Sequence, residues 1–287
     1  MDKFLEIENH ELKKNSFRNN EVITLTWCDA AENHIGMENI GEKSINGFNL
    51  KDLQFAKEKF EDKGFKSRLI KLNDYYDLDE IPEGKEPENA FILVVENGVI
   101  CLLNDENPDE KDDNTIMDNF YKELTSFEWD RKYYDTRRKK VLNKHARANV
   151  CFSEESQKAD FENKKGSIIA FKDLKMTNLI RDKLPEFIGE NAKNLKCEGN
   201  FYFNKSKCGI GFHGDAERKK VIGLRIGEMI LKFSWFYNCK PIGKPFNLEL
   251  NDGDLYIMCE KATGNDWKKK SKVTLRHAAG CDKYTKL

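Results

Sequence analysis

Residues 208–227 read CGIGFHGDAERKKVIGLRIG, two short strand-forming runs on either side of a charged turn. The same texture holds from about Ser167 onward. Apolar-polar segments alternate with turns at Gly199–Phe203, Cys208–His213, Val221–Gly227, Ile230–Tyr237, Phe246–Leu250, Asp254–Met258 and Lys272–Ala278. Short strands at near-even spacing predict a barrel or double-sheet jelly roll for residues 151–287. Two further elements precede them, a strand at Ser167–Phe171 and a helix at 174–190 with Pro185 near its end.

The first half has a different rhythm. Val22–Trp27 is a β-branched strand, and an amphipathic helix runs from Leu50 to Lys63, opened by Asn49 and closed by Gly64. With Arg68–Leu72 as a second strand, 22–72 resembles a β-α-β unit. Ala90–Val95 and Val99–Leu103 flank Glu96-Asn97-Gly98, and Asn-Gly suits the type I′ turn of a hairpin. Residues 1–20 read as a polar lead-in, 104–113 as an acidic surface loop and 116–129 as a helix. The expected fold is therefore α+β: an N-terminal α/β domain at 1–150 and a C-terminal β domain at 151–287.

Composition excludes several classes. The 49 Lys and Arg nearly balance the 50 Asp and Glu, so no global field draws the chain to nucleic acid or an anionic membrane. No apolar run approaches the roughly 20 residues that span a bilayer, and the opening MDKFLEIENHELKKN lacks the apolar stretch of a signal peptide. The eight cysteines form no CxxC pair, which predicts free thiols in a reducing, intracellular compartment. One local charge concentration stands out, Arg131–Arg147, with Tyr133, Tyr134 and His145 interleaved. It suits either phosphate contact or a solvated helix face or connector.

The chemistry concentrates at His213-Gly214-Asp215. Residues i and i+2 of a strand face one side, so His213 and Asp215 can share a metal ion. Of the five histidines, His10 and His34 lie in the N-terminal part and His145 in the basic run; His277 alone sits in a strand-like segment of the same β-rich region. Two imidazoles and a carboxylate form the facial triad that suits Fe(II) and leaves coordination positions open for a cosubstrate and O2. The bland reading is a surface His-Gly-Asp turn and an unrelated core histidine.

Residues 166–287 resemble the AlkB-type Fe(II)/2-oxoglutarate dioxygenases. The matching pieces are Asn200-Phe201-Tyr202 (similar to the family's N-x-Y), His213-Gly214-Asp215 (its H-x-D), the strand Val221–Gly227, and the turn and strand Asn251–Met258. The resemblance implies a double-stranded β-helix, a cupin-like jelly roll. It implies hydroxylation of a C–H bond, with 2-oxoglutarate oxidised to succinate and CO2. It also implies that Asn200 and Tyr202 hydrogen-bond the cosubstrate.

The cation that would anchor the cosubstrate's distal carboxylate departs from the family pattern. The turn Asn265–Lys270 holds no histidine, and the strand after it reads Lys272-Val273-Thr274-Leu275-Arg276-His277. Two registers follow. In one, His277 is the third metal ligand and the anchor is Arg225, or Lys283 or Lys286 in the tail. In the other, Arg276 is the anchor and the third ligand is missing. Adjacent strand residues face opposite sides, so Arg276 and His277 are not expected to share the cavity. The first register is preferred, with Arg225 as first choice because it lies within an apolar strand; its alternative role is a structural salt bridge. Phe233, Trp235 and Tyr237 are expected in the core, Trp267 as a core cap, and Glu217–Lys220 as a solvated loop.

The resemblance makes a modified nucleic-acid base the leading substrate class, with segment 131–147 as a contact surface. A protein side chain (prolyl or lysyl) or a small molecule is the alternative enzymatic reading, and a non-catalytic binding module the third.

Overall fold

The computed structural model describes residues 20–104 and 113–287. The expected lead-in at 1–20 and acidic loop at 104–113 lie almost wholly outside the described residues. The described chain opens with β1 (Val22–Cys28), β2 (Ala30–Glu32) and β3 (Asn39–Gly41), then helix α1 (Leu50–Asp62). Next come β4 (Ser67–Lys71), β5 (Phe91–Val95) and helices α2 (Gly98–Leu103) and α3 (Asp113–Leu124). A hairpin of β6 (Lys132–Asp135) and β7 (Lys140–Asn143) precedes β8 (Ala148–Ser153), β9 (Ile168–Ala170) and helix α4 (Lys175–Ile188). The last third holds β10 (Lys196–Tyr202), β11 (Gly209–His213), β12 (Val221–Ile226) and β13 (Leu231–Tyr237). It ends with β14 (Lys240–Leu248), β15 (Leu255–Met258), β16 (Thr274–Gly280) and the short helix α5 (Asp282–Thr285).

The fold is mixed α+β and mostly antiparallel. One eight-stranded sheet runs β4-β5-β15-β12-β1-β10-β8-β9, and a four-stranded sheet runs β11-β16-β13-β14. That order corrects the division at residue 150. The boundary falls inside β8, and β1 pairs with β10 on one edge and β12 on the other. The composition of β1 explains this: Ile23, Leu25 and Trp27 are fully buried on one face, and Thr24 and Thr26 are buried on the other. A strand covered on both faces needs two neighbours, and this chain supplies both from its second half. The β-α-β expectation is corrected as well. β1 and β4 do run parallel, yet β5, β15 and β12 lie between them.

Local signals hold where they are strong. The Asn49 side chain accepts from the backbone N–H groups of Lys51 and Asp52, and Asp52 accepts from the N–H of Asn49, a reciprocal cap on α1. Leu53, Ala56 and Phe60 of α1 are buried at helical spacing, and Phe60 meets Phe187 of α4 with ring centroids 4.8 Å apart. Helices thus cover the Ile23–Leu25–Trp27 face of the large sheet in one continuous core.

The hairpin expected at 90–103 is wrong. Asn97 does adopt a left-handed conformation (φ 53°), but Gly98–Leu103 continue as helix α2. Asp254 accepts from the N–H of Asn97, and the N–H of Val99 donates to the carbonyl of Gly253. These bonds turn the chain away from β5, and Val99–Leu102 are buried as a helix. A short apolar run carries no period to distinguish the two states. The basic run forms the β6–β7 hairpin and not a helix face. All eight cysteines are free. Among the described residues no helix is long and apolar enough to cross a membrane.

Candidate metal centre

β11 and β16 are neighbours, and their register sets His213 opposite His277. The pairing is irregular between Ile210 and His213, a bulge that re-aims the end of β11. Asp215 follows in a turn, its N–H donating to the carbonyl of Thr263. Its Oδ1 lies 3.8 Å from His213 Nε2 and 3.7 Å from His277 Nε2. An ion bonded at about 2.1 Å spans up to about 4.2 Å between two of its ligands, so these separations suit one shared divalent cation.

The protonation states suit it too. His213 Nδ1 lies 2.8 Å from the carbonyl of Gly211; that contact takes an N–H on Nδ1 and leaves the Nε2 lone pair for a metal. His277 is buried, and burial, then His213 and Arg218, hold its pKa well below the ordinary value, so the ring is the neutral, ligating form. Burial pushes the Asp215 carboxyl up, opposed by Arg218 and His213. Gly214 makes the turn possible. A Cβ there would lie 2.1 Å from the carbonyl oxygen of Gly264 and 2.7 Å from its carbon, both backbone atoms that cannot swing aside.

The triad opens onto a cavity of about 780 Å³ between the two sheets. The small sheet contributes Ile210, His213, Leu231, His277 and Ala279; the large sheet contributes Thr24, Thr26, Glu198, Asn200, Tyr202, Arg225 and Tyr256. These polar residues are the alternate positions of β1, β10, β12 and β15, the faces turned away from the helices.

Asn200, Tyr202 and Arg225 all line the cavity. Arg225 is 1% exposed, its Nη1 donates to Thr24 Oγ1 at 2.8 Å, and its Nε has no partner. No carboxylate among the described residues pairs with it, so the salt-bridge role is absent. Asn200 is already engaged. Its Oδ1 accepts from Arg147 Nε and Asn149 Nδ2, and its Nδ2 donates to Glu198.

Arg276 and Lys286 do not line the cavity. Arg276 points to the opposite side of β16 from His277, with its guanidinium 4.1 Å from the ring centre of Phe236 and 5.2 Å from that of Trp267. Strand alternation dictates this. Lys286 follows α5 and is exposed, as is Lys283. Phe233 and Trp235 are core, whereas Trp267 lines the cavity. The solvated-loop expectation for Glu217–Lys220 is wrong for Arg218, which is 4% exposed and pairs with Glu198 and Glu217.

Sequence reasoning missed Arg147, Glu198, Arg218, Tyr256 and Glu32 as cavity residues. The usable signal was alternation: Thr24, Thr26, Glu198 and Asn200 interrupt otherwise apolar strands every second residue. Glu32 is held at the cavity by the N–H of Gly36 (2.8 Å), and burial raises its pKa to about 7. An acid with a raised folded pKa favours the fold when protonated, so its contribution is full below about 4.5 and lost as pH rises through about 7. Glu32→Gln is therefore expected to raise the melting temperature at pH 8 more than at pH 5, read by thermal denaturation at both values.

No family model matches the chain. Over 267 residues, 93% of its length, the chain is 41% identical to a protein of Acanthamoeba polyphaga mimivirus, "Uncharacterized protein R156", of which the match spans 98%.

Proposed function

We propose that this chain, which belongs to the same family as the mimivirus protein R156, is an Fe(II)- and 2-oxoglutarate-dependent dioxygenase built on a jelly roll. The observation that carries the reading is the pairing of a two-histidine, one-carboxylate cluster with a buried, carboxylate-free arginine in one cavity. The two facing, mostly antiparallel sheets support the jelly-roll reading.

The residues fit the group they would hold. His213, Asp215 and His277 offer two imidazole nitrogens and a carboxylate to one ion, and among the described residues no further His, Cys, Asp or Glu joins that cluster. Arg225 supplies a cation whose burial would be costly unless an anion joins it. Bound there, Fe(II) with 2-oxoglutarate and O2 would supply C–H hydroxylation coupled to release of succinate and CO2. The protein's own part is positional. Gly211 fixes the His213 tautomer, Thr24 orients Arg225, and the Glu198–Arg218 pair keeps a charge-balanced wall beside Asp215.

For the substrate we favour a nucleic-acid base. Two features support it: His34, which lines the cavity, stacks on Tyr133 of the basic hairpin with ring centroids 3.8 Å apart, and Arg147 of the basic run reaches the cavity wall. Base–aromatic stacking beside cations is how single strands are gripped without a duplex. Anaerobic loading with Fe(II) and 2-oxoglutarate, then O2, tests the reading through succinate release. A methylated single-stranded oligonucleotide should stimulate release, and a prolyl or lysyl peptide should not. Stimulation by peptide alone would replace the substrate, and absence of iron binding would end the dioxygenase reading.

A further inference from the structure

The ladder between β11 and β16 does not stop at its last paired glycines. Gly209 stands opposite Gly280, and one position further the N–H of Cys281 donates to the carbonyl of Cys208 at 3.0 Å. The two cysteines therefore face each other across the strands. Opposed residues of a bonded antiparallel pair have Cα atoms about 5.5 Å apart, inside the range that a disulfide spans. The glycines let the backbones close in: a Cβ on Gly280 would sit 2.3 Å from Gly209 Cα and 2.4 Å from the Cys208 carbonyl oxygen. Both thiols are free. Cys208 is buried against Val22 and Tyr202, whereas Cys281 is partly exposed directly before α5. Burial pushes the Cys208 thiol up, and Cys281 is among its charge neighbours. The strand they would hold is weakly held otherwise. β11 lies at the edge of the small sheet, with β16 as its one strand neighbour, and their pairing lapses between Ile210 and His213.

We propose that Cys208 and Cys281 are the site of a reversible disulfide that staples the edge strand bearing His213 to the strand bearing His277. It goes beyond the dioxygenase reading and does not depend on it. The oxidant is a hydroperoxide, of which hydrogen peroxide is the simplest. Cys281, the accessible thiol, meets it first: the thiolate sulfur attacks one peroxide oxygen, the O–O bond breaks, and a sulfenic acid and one water result. Cys208 sulfur then displaces the sulfenic hydroxyl. The S–S bond forms, the S–O bond breaks, and the hydroxyl leaves with the Cys208 proton as a second water. Two thiols and one hydrogen peroxide become one disulfide and two waters. A dithiol reductant reverses this by thiol–disulfide exchange at the exposed Cys281 sulfur. In a reducing compartment such pairs are transient and serve as sensors. Closing the pair restores a fixed crosslink to a ladder interrupted by the bulge, so the oxidation state of the two thiols governs how firmly β11 is docked.

The full chain, metal-free, is treated with hydrogen peroxide and mapped by mass spectrometry without reduction. A peptide linked through Cys208 and Cys281 is expected, and dithiothreitol should release it. The linked form should melt about 5 °C higher than the reduced form, because the bond closes a long loop. Amide exchange at Ile210–His213 should slow by about tenfold or more on oxidation and recover on reduction. Cys281→Ser, at a partly exposed position, should melt like reduced wild type and show no link, no rise and no slowing with peroxide. Oxidation of Cys281 to a sulfinic acid without a link would overturn the pairing, as would a crosslink through the exposed Cys239 of a second molecule. A 208–281 link that leaves exchange in β11 unchanged would overturn the stapling.

Discussion

His277→Ala is expected to abolish succinate release and lower metal affinity by at least about a hundredfold, since even outer-sphere losses reach that range. The fold should survive. His277 Nδ1 has no partner in the wild type, so truncation strands no hydrogen-bond donor, and the ring faces a cavity. The measurement that separates site from scaffold is the melting temperature with and without Mn(II). Metal that binds only the folded state raises the wild-type value by linkage and should leave that of the variant unmoved. An equal metal-induced rise in both proteins would remove His277 from the ligand set and revive the register in which the third ligand is missing.

Arg225→Met is expected to move stability and binding in opposite directions. The arginine is buried, has no carboxylate partner, and carries a pKa lowered first by that burial. Replacing such a charge with an apolar side chain of similar length should stabilise the ligand-free protein, by about 1–4 kcal/mol if it behaves like a buried ion pair replaced by apolar residues. The same change should cost nearly all affinity for 2-oxoglutarate. Melting curves and calorimetry on one preparation read both. A variant less stable than wild type would show that Arg225 holds the sheet together through Thr24 and is not kept for a ligand.

Much of this was legible in the residues, and the failures have physical causes. His213, Asp215 and His277 were found because strand alternation and a short histidine census left little choice. The same alternation separates Arg276 from the cavity. The α1 cap was visible because Asn49 and Asp52 stand at the spacing a capping box requires. Val99–Leu103 was misread because five apolar residues have no period, and the bonds that decide their state come from Gly253 and Asp254, far along the chain. Arg218 was misread because a charged run looks solvated until its partners are known; Glu198, its buried partner, sits twenty residues earlier. The domain boundary failed for a related reason. The pattern of β1 announces a strand buried on both faces but not which strands will cover it.

The placement of β1 between β10 and β12 also shapes how the molecule is born. During synthesis Val22–Cys28 leaves the ribosome long before either flanking strand exists, so one edge stays bare until translation passes residue 202 and the other until it passes residue 226. Contacts this distant in sequence make for slow folding and a long exposure to misassociation. A nascent chain stalled before β12 would lack Arg225 itself and leave that edge of β1 uncovered, which predicts that fragments ending near residue 150 are bound by chaperones and do not form an autonomous unit.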